Sequence, residues 1–143
     1  MPPHILSLNF NINIYYQIMK IMVTGGNGFI GSNFIEEMVL KHGHFVLNID
    51  KKGDEKNLTN RLLNSKYKYT FLKRNLISIN SGETVKTIKS FNPNVIVHFA
   101  AETHVDYSII KPREFLKSNI NASFELLEFA RKHLNEVKII HIS

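Results

Sequence analysis

The chain of 143 residues contains no cysteine, which excludes disulfides and thiolate metal sites. Its seven histidines never fall in an HExxH pattern. His42 and His44 flank a glycine and read as a helix end and a turn. No apolar run approaches the length needed to span a bilayer. The first eighteen residues, MPPHILSLNFNINIYYQI, lack a basic start, an unbroken apolar stretch and a small-residue cleavage site, so they do not read as a signal peptide. Residues 1–18 are expected to be a loosely ordered extension and residues 19–143 a single domain. The expected setting is a soluble cytoplasmic protein with no membrane partner.

Acidic charge is also scarce. Eighteen Lys and Arg face twelve Asp and Glu, for a net charge of +6. The basic residues are densest between Lys51 and Arg74, without the interleaved aromatics of an RNA-binding strand. A solvated basic face is therefore expected in place of a nucleic-acid partner.

What the chain does have is alternation. Apolar runs at 21–24, 44–50, 68–74, 95–100 and 137–142 are separated by helical patterns at 28–42, 82–91 and 112–134, with a weak helix at 57–64. Gly43 closes the first helix and Pro112 opens the last. This βαβ rhythm predicts an α/β, Rossmann-type doubly wound parallel sheet in the order 3-2-1-4-5, stopping after about five strands. The last helix carries two apolar stripes. One is Leu116, Ile120, Leu127, Ala130 and Leu134, and the other is Phe115, Ala122, Leu126 and Phe129. A helix on a sheet needs only one, so the second face calls for further chain or a partner subunit.

The stretch KIMVTGGNGFIGSNFIEEM places Gly25, Gly28 and Gly31 between a strand and a helix. The first glycine permits the tight turn, the second lets a diphosphate approach the backbone, and the third lets helix and strand pack closely. The free N–H groups of the helix start then face phosphate oxygens. Asp50 ends the second strand, 25 residues after Gly25. A carboxylate there accepts ribose hydroxyls and repels a 2′-phosphate, which favours NAD over NADP, although Lys51 and Lys52 beside it offset part of that charge.

These residues, and above all VIVHFAAETHVDYSI, resemble the extended short-chain dehydrogenase/reductase superfamily and within it the nucleotide-sugar 4,6-dehydratases, chiefly those acting on dTDP-glucose. The likeness runs from about Lys20 to Ser143. It implies an NAD cofactor with Phe29 and Ile30 against the pyrophosphate, Asp50 and Lys51 at the adenosine ribose, and Asn75 and Leu76 by the adenine. It places Phe99, Ala100, Ala101, Glu102 and Thr103 along the nicotinamide side, Ser118 against the cofactor, and Thr103 and His104 at the sugar. The family carries Gly-Asp-Ile where this chain has Arg74-Asn75-Leu76, and a different loop after Lys51. Its reaction oxidises sugar C4, eliminates water across C5–C6 and returns the hydride to C6, with a tyrosine and carboxyl groups moving the protons.

In the family the catalytic Thr-Asp-Glu follows directly on residues like His141-Ile142-Ser143, and Tyr-x-x-x-Lys comes later still. The resemblance therefore implies no catalytic residue within these 143, a missing sugar-binding part, and little or no turnover by this chain alone. It also implies a nucleotide-sugar substrate and a homodimer formed through the long helix. A UDP-sugar dehydratase or epimerase, or a nucleotide-binding module without chemistry, are the alternatives.

Overall fold

In the computed structural model, which describes residues 17–54, 57–102 and 105–142, five strands form one parallel sheet. They are β1 (Lys20–Thr24), β2 (Phe45–Asp50), β3 (Tyr69–Lys73), β4 (Val95–His98) and β5 (Lys138–His141). Their order is β3-β2-β1-β4-β5, as the alternation predicts. Only Gln17 and Ile18 of the expected extension fall within the described residues.

β1, β2 and β4 are buried on both faces, which is why they read as unbroken apolar runs, whereas the edge strand β5 is exposed. Period-two alternation sends Met22, Leu47, Ile49 and Ile96 to one face, and Ile21, Val23, Val46, Val95 and Val97 to the other. The first face packs on α3 (Gly82–Phe91) through Ile88 and on α6 (Ala122–His133) through Leu126 and Phe129. The second packs on α1 (Phe29–Leu40) through Ile35 and Val39, and on Leu58 of α2 (Leu58–Arg61). Fully burying each of these side chains is worth roughly 1.5–3 kcal/mol, so the two layers hold the sheet from both sides. At the end of α1, left-handed Gly43 (φ 68°) turns the chain so that the His44 N–H reaches the Met38 carbonyl at 2.9 Å.

The expected continuous helix over 112–134 is three pieces. A short α5 (Pro112–Leu116) runs into a π turn at Lys117–Asn121, and α6 continues from it to His133. The extra residue of a π turn rotates the helix beyond it. Ala122, Leu126, Phe129 and Ala130 are buried, whereas Leu116, Ile120, Phe124 and Leu127 are exposed. The buried stripe thus combines Ala122, Leu126 and Phe129 of one expected stripe with Ala130 of the other. A short helix at Val105–Ile110, α4, has no counterpart among the helices that the periodicity predicts. The weak helix expected at 57–64 is α2 followed by 3-10 turns over Leu63–Lys68.

Candidate functional site

The carboxyl ends of β1, β2 and β4 open onto one cleft, where α/β sheets place their ligands. The glycine loop forms its floor. Gly25 has φ 73°, and a Cβ built on it would lie 2.6 Å from the Ala100 backbone. A Cβ on Gly31 would lie 2.5 Å from the Gly25 carbonyl, so helix and strand approach as closely as a missing side chain allows. At Gly28 the only near atom is the Gly25 carbonyl at 3.3 Å. Its open side faces the cleft it lines. The first N–H groups of α1, those of Phe29, Ile30 and Gly31, have no partner within the helix, and no side chain caps them. No acidic residue occupies that first turn. The structure therefore offers a cradle of main-chain donors with room for an anion.

Asp50 lies across from the cradle at the end of β2. Its Oδ2 accepts the Asn27 N–H at 2.9 Å and its Oδ1 accepts the Lys52 N–H at 2.9 Å. An ionised carboxylate has about four acceptor positions, so two remain for a ligand. Asn48, two residues earlier on the same face, ties the loop further. Its Oδ1 accepts the Gly26 N–H at 3.1 Å, and its Nδ2 donates to Asn27 Oδ1 and to the Tyr69 hydroxyl. Asn27 Nδ2 in turn donates to the Gly53 carbonyl at 2.7 Å. A Cβ on Gly26 would strike the Asn48 side chain. The GGNG sequence is thus built as much for Asn48 and Asp50 as for a ligand, a role for Gly26 and Asn27 that spacing alone does not reveal.

The other expected site residues converge here. Gly25, Gly28, Asp50, Lys51, Asn75, Leu76, Phe99, Ala100, Ala101, Glu102 and Ser118 line one part of the cleft. Phe29, Ile30 and Gly31 line its continuation beside Asn119, Ser123 and His141. Thr103 and His104 lie outside the described residues. Lys51 Nζ reaches across to Glu102 Oε1 at 2.5 Å and to Ser118 Oγ at 3.1 Å, joining the two walls. Asn75 uses its Oδ1 to cap the turn at Leu76–Ser78, accepting the Ile77 N–H at 3.1 Å, which leaves its amide nitrogen for a base. Lys52 and Arg74 line the same end of the cleft, though the sequence marks them only as surface charge and a departure from pattern.

Beneath the cleft runs a buried polar chain. Ser123 Oγ donates to the Asn119 carbonyl at 2.8 Å, so it accepts from His98 Nε2–H at 2.8 Å. His98 Nδ1 is then the acceptor, and the Thr24 hydroxyl donates to it at 2.5 Å. Burial, and secondarily the nearby His141, lowers the His98 pKa to about 4, so the ring is neutral at pH 7. Asn119, inside the π turn, holds the far wall: its Oδ1 accepts the Glu102 N–H at 2.7 Å and its Nδ2 donates to the Glu102 carbonyl at 3.0 Å.

Tyr-x-x-x-Lys spacings occur at Tyr107–Lys111, running from α4, and at Tyr69–Lys73 on β3. The second is set within the sheet. Burial pushes the Tyr69 hydroxyl up to about 12, the opposite of what a proton-abstracting tyrosine requires. Its hydroxyl serves Asn48 instead.

A family model described as GDP-mannose 4,6 dehydratase matches residues 22–143. The chain belongs to this family of nucleotide-sugar dehydratases. Among its relatives, the dTDP-glucose 4,6-dehydratase of Salmonella typhimurium is 36% identical over 118 residues, covering 80% of this chain and 32% of the relative. Protein CapI of Staphylococcus aureus is 36% identical over 129 residues, covering 87% of this chain and 37% of the relative. The chain thus spans about a third of the length of the relatives it matches. Among solved structures, the dTDP-glucose 4,6-dehydratase of Bacillus anthracis in complex with NAD superposes with a TM-score of 0.68 at 32% identity, over 87% of this chain and 37% of that one. The UDP-glucose 4-epimerase of Thermus thermophilus in complex with NAD gives 0.65 at 29% identity, over 80% and 34%. The dehydratase family accounts for a dinucleotide-shaped cleft at this sheet edge.

Among the described residues no cluster of three metal-ligating side chains occurs, and no helix is long and apolar enough to cross a membrane.

Proposed function

We propose that this chain is the cofactor-holding part of a nucleotide-sugar 4,6-dehydratase that binds NAD and serves the conversion of dTDP-glucose to its 4-keto-6-deoxy product. The observation that carries the reading is the pairing of two features in one cleft. Unpartnered N–H groups open α1 at Phe29, Ile30 and Gly31, and a buried carboxylate, Asp50, stands at the end of β2. A dinucleotide needs both: amide donors for the diphosphate and an acceptor for the ribose.

On this reading the residues have separate tasks. Phe29, Ile30 and Gly31 hold the pyrophosphate through main-chain N–H groups. Asp50 and Lys51 hold the adenosine ribose. Leu76 and the Asn75 amide face the adenine. Phe99, Ala100 and Ala101 exclude water from the nicotinamide side, with Glu102 and Ser118 at its rim. Thr103 and His104 belong at the sugar. The bound cofactor supplies hydride acceptance and return. Homodimer formation through the exposed face of α5 and α6 belongs to the same proposal.

No tyrosine lines the cleft among the described residues, and on this reading the chain by itself binds the cofactor without turning substrate over. The test is incubation of the purified chain with dTDP-glucose and NAD, beside a titration with NAD. Saturable NAD binding without keto-sugar formation is the expected outcome. Robust product would contradict the division of labour, and absence of NAD binding would contradict the cofactor reading. A UDP-sugar substrate is supported by the UDP-glucose 4-epimerase of Thermus thermophilus, whose NAD complex shares this fold.

A further inference from the structure

All five strands start, and α1, α3 and α6 end, at the edge of the sheet opposite the cleft. Lys20 and Lys138 begin β1 and β5, and Lys66 and Lys68 lie in the turns that enter β3. The Lys20 N–H donates to Asn94 Oδ1 at 2.7 Å, and the Asn94 carbonyl accepts the Lys138 N–H at 3.2 Å, so one ladder holds both lysines. Lys68 Nζ lies against Gly43, just past Lys41 at the end of α1. Lys89 is in the last turn of α3, and Arg131 and Lys132 are in that of α6. Among the described residues this edge holds eight Lys and Arg against three acids, Glu37, Glu128 and Glu136. Five of the chain's six net positive charges are therefore gathered here.

Helix dipoles explain part of this. Cations favour helix C-termini, and Lys41, Arg131 and Lys132 also pair with Glu37 and Glu128. Dipoles do not explain Lys20, Lys66, Lys68 and Lys138, which belong to no α-helix and make no salt bridge among the described residues. Apolar side chains stand exposed between these lysines. Ile18 is two residues before Lys20, Leu40 directly precedes Lys41, and Leu63 and Tyr67 share the turns with Lys66 and Lys68. Three of these four are aliphatic, which suits the acyl boundary of a lipid leaflet and gives nucleic-acid bases little to stack on. The described residues also begin at this edge, with Gln17, and the sequence before it, residues 1–16, contains no Lys, Arg, Asp or Glu.

We propose that this edge docks on an anionic lipid surface, with its lysines against the headgroups and Ile18, Leu40, Leu63 and Tyr67 at the boundary with the acyl chains. The expected absence of a membrane partner rested on span length, and a surface contact needs no spanning segment. The cofactor cleft lies at the opposite edge of the sheet, so docking leaves it open to solution. The two sites are separate, and this one stands whether or not the cleft holds a dinucleotide.

The test is co-sedimentation of the full chain with vesicles of phosphatidylcholine alone and with vesicles of two parts phosphatidylcholine to one part phosphatidylserine. Binding is expected to the mixed vesicles only, and should fall by about tenfold or more between about 0.1 M and about 0.5 M salt. Lys66→Gln combined with Lys138→Gln should weaken it by about twentyfold, since each lysine near an anionic surface is worth roughly fivefold. Arg113→Gln combined with Lys117→Gln removes the same charge beside the cleft wall at Ser118, and should weaken it by less than about threefold. Leu40→Ser combined with Tyr67→Ser should weaken it by about tenfold and leave its salt dependence in place. Thermal melting by circular dichroism shows which variants fold, and the lysine pair or the apolar pair alone suffices against the control pair. Equal loss from the lysine pair and the control pair would overturn the proposal, since that marks net charge and not a face. Absence of binding to the mixed vesicles would also overturn it, and tight binding of a single-stranded RNA in its place would assign the edge to nucleic acid.

Discussion

Asp50 Oδ2 accepts the main-chain N–H of Asn27 at 2.9 Å, joining the end of the second strand to the glycine loop. The same carboxylate accepts the Lys52 N–H, so one buried acid shapes both the phosphate cradle and the turn beside it. Asp50→Asn turns a donor pair toward one of these N–H groups. It is expected to destabilise the chain by about 2 kcal/mol, since hydrogen bonds to a charged group are worth roughly 1.5–3 kcal/mol. Urea unfolding measures the first effect, and NAD titration should show an affinity loss of about tenfold or more. Unchanged stability together with unchanged affinity would remove Asp50 from both roles.

The three glycines should separate folding from binding. Gly25→Ala meets the Ala100 backbone at 2.6 Å from a left-handed φ, and Gly31→Ala meets the Gly25 carbonyl at 2.5 Å. Each is expected to cost about 2 kcal/mol or more, because backbone cannot yield as a side chain can. Gly28→Ala meets only one atom at 3.3 Å, so it should fold nearly normally and lose NAD affinity. Melting temperatures beside binding isotherms decide this. A Gly28→Ala chain that binds normally would refute the open approach assigned to that position.

Stability should fall on mild acidification. His98 has an ordinary pKa of 6.5 when unfolded and about 4 when folded, where burial opposes its charge. The unfolded chain therefore binds more protons below pH 6.5, so stability present above that pH is lost as pH drops toward 4. The full loss from this group is about 3 kcal/mol, since each pH unit between the two values contributes about 1.36 kcal/mol. Urea midpoints measured between pH 7 and pH 4 track it. In His98→Leu that part of the slope should vanish, although the variant is less stable at pH 7. A slope that survives in His98→Leu would assign it to other groups.

The exposed stripe of Leu116, Ile120, Phe124 and Leu127 predicts self-association. Light scattering after size exclusion should show an apparent mass that rises with concentration, and Ile120→Lys combined with Phe124→Lys should return it to a monomer. A clean monomer at high concentration from the unaltered chain would refute the prediction.

The strands were legible because a sheet covered on both faces needs apolar side chains on both, and VIVH is such a run. Their order came from right-handed crossovers between parallel strands. The π turn at Lys117–Asn121 was not legible, because its cause is tertiary: Asn119 bonds to the Glu102 backbone seventeen residues away. The site was legible where one residue does one job, as at Gly25 and Asp50. It was hidden where pairing creates the proximity. Arg74 reads as a surface charge until the β2–β3 register sets it beside Asp50, and Asn48 reads as an odd polar residue in a strand until Gly26, Asn27 and Tyr69 close around it.

The central claim is that the start of α1 holds a diphosphate while the end of β2 holds the adjoining ribose. An amide-resolved NMR titration of the isotope-labelled chain with NAD tests it most directly. The account predicts saturable shifts of the Gly28, Phe29, Ile30 and Gly31 amides together with Lys51 and Lys52, while α3 stays unmoved. Saturable shifts confined to other parts of the chain, or none at millimolar NAD, would contradict it.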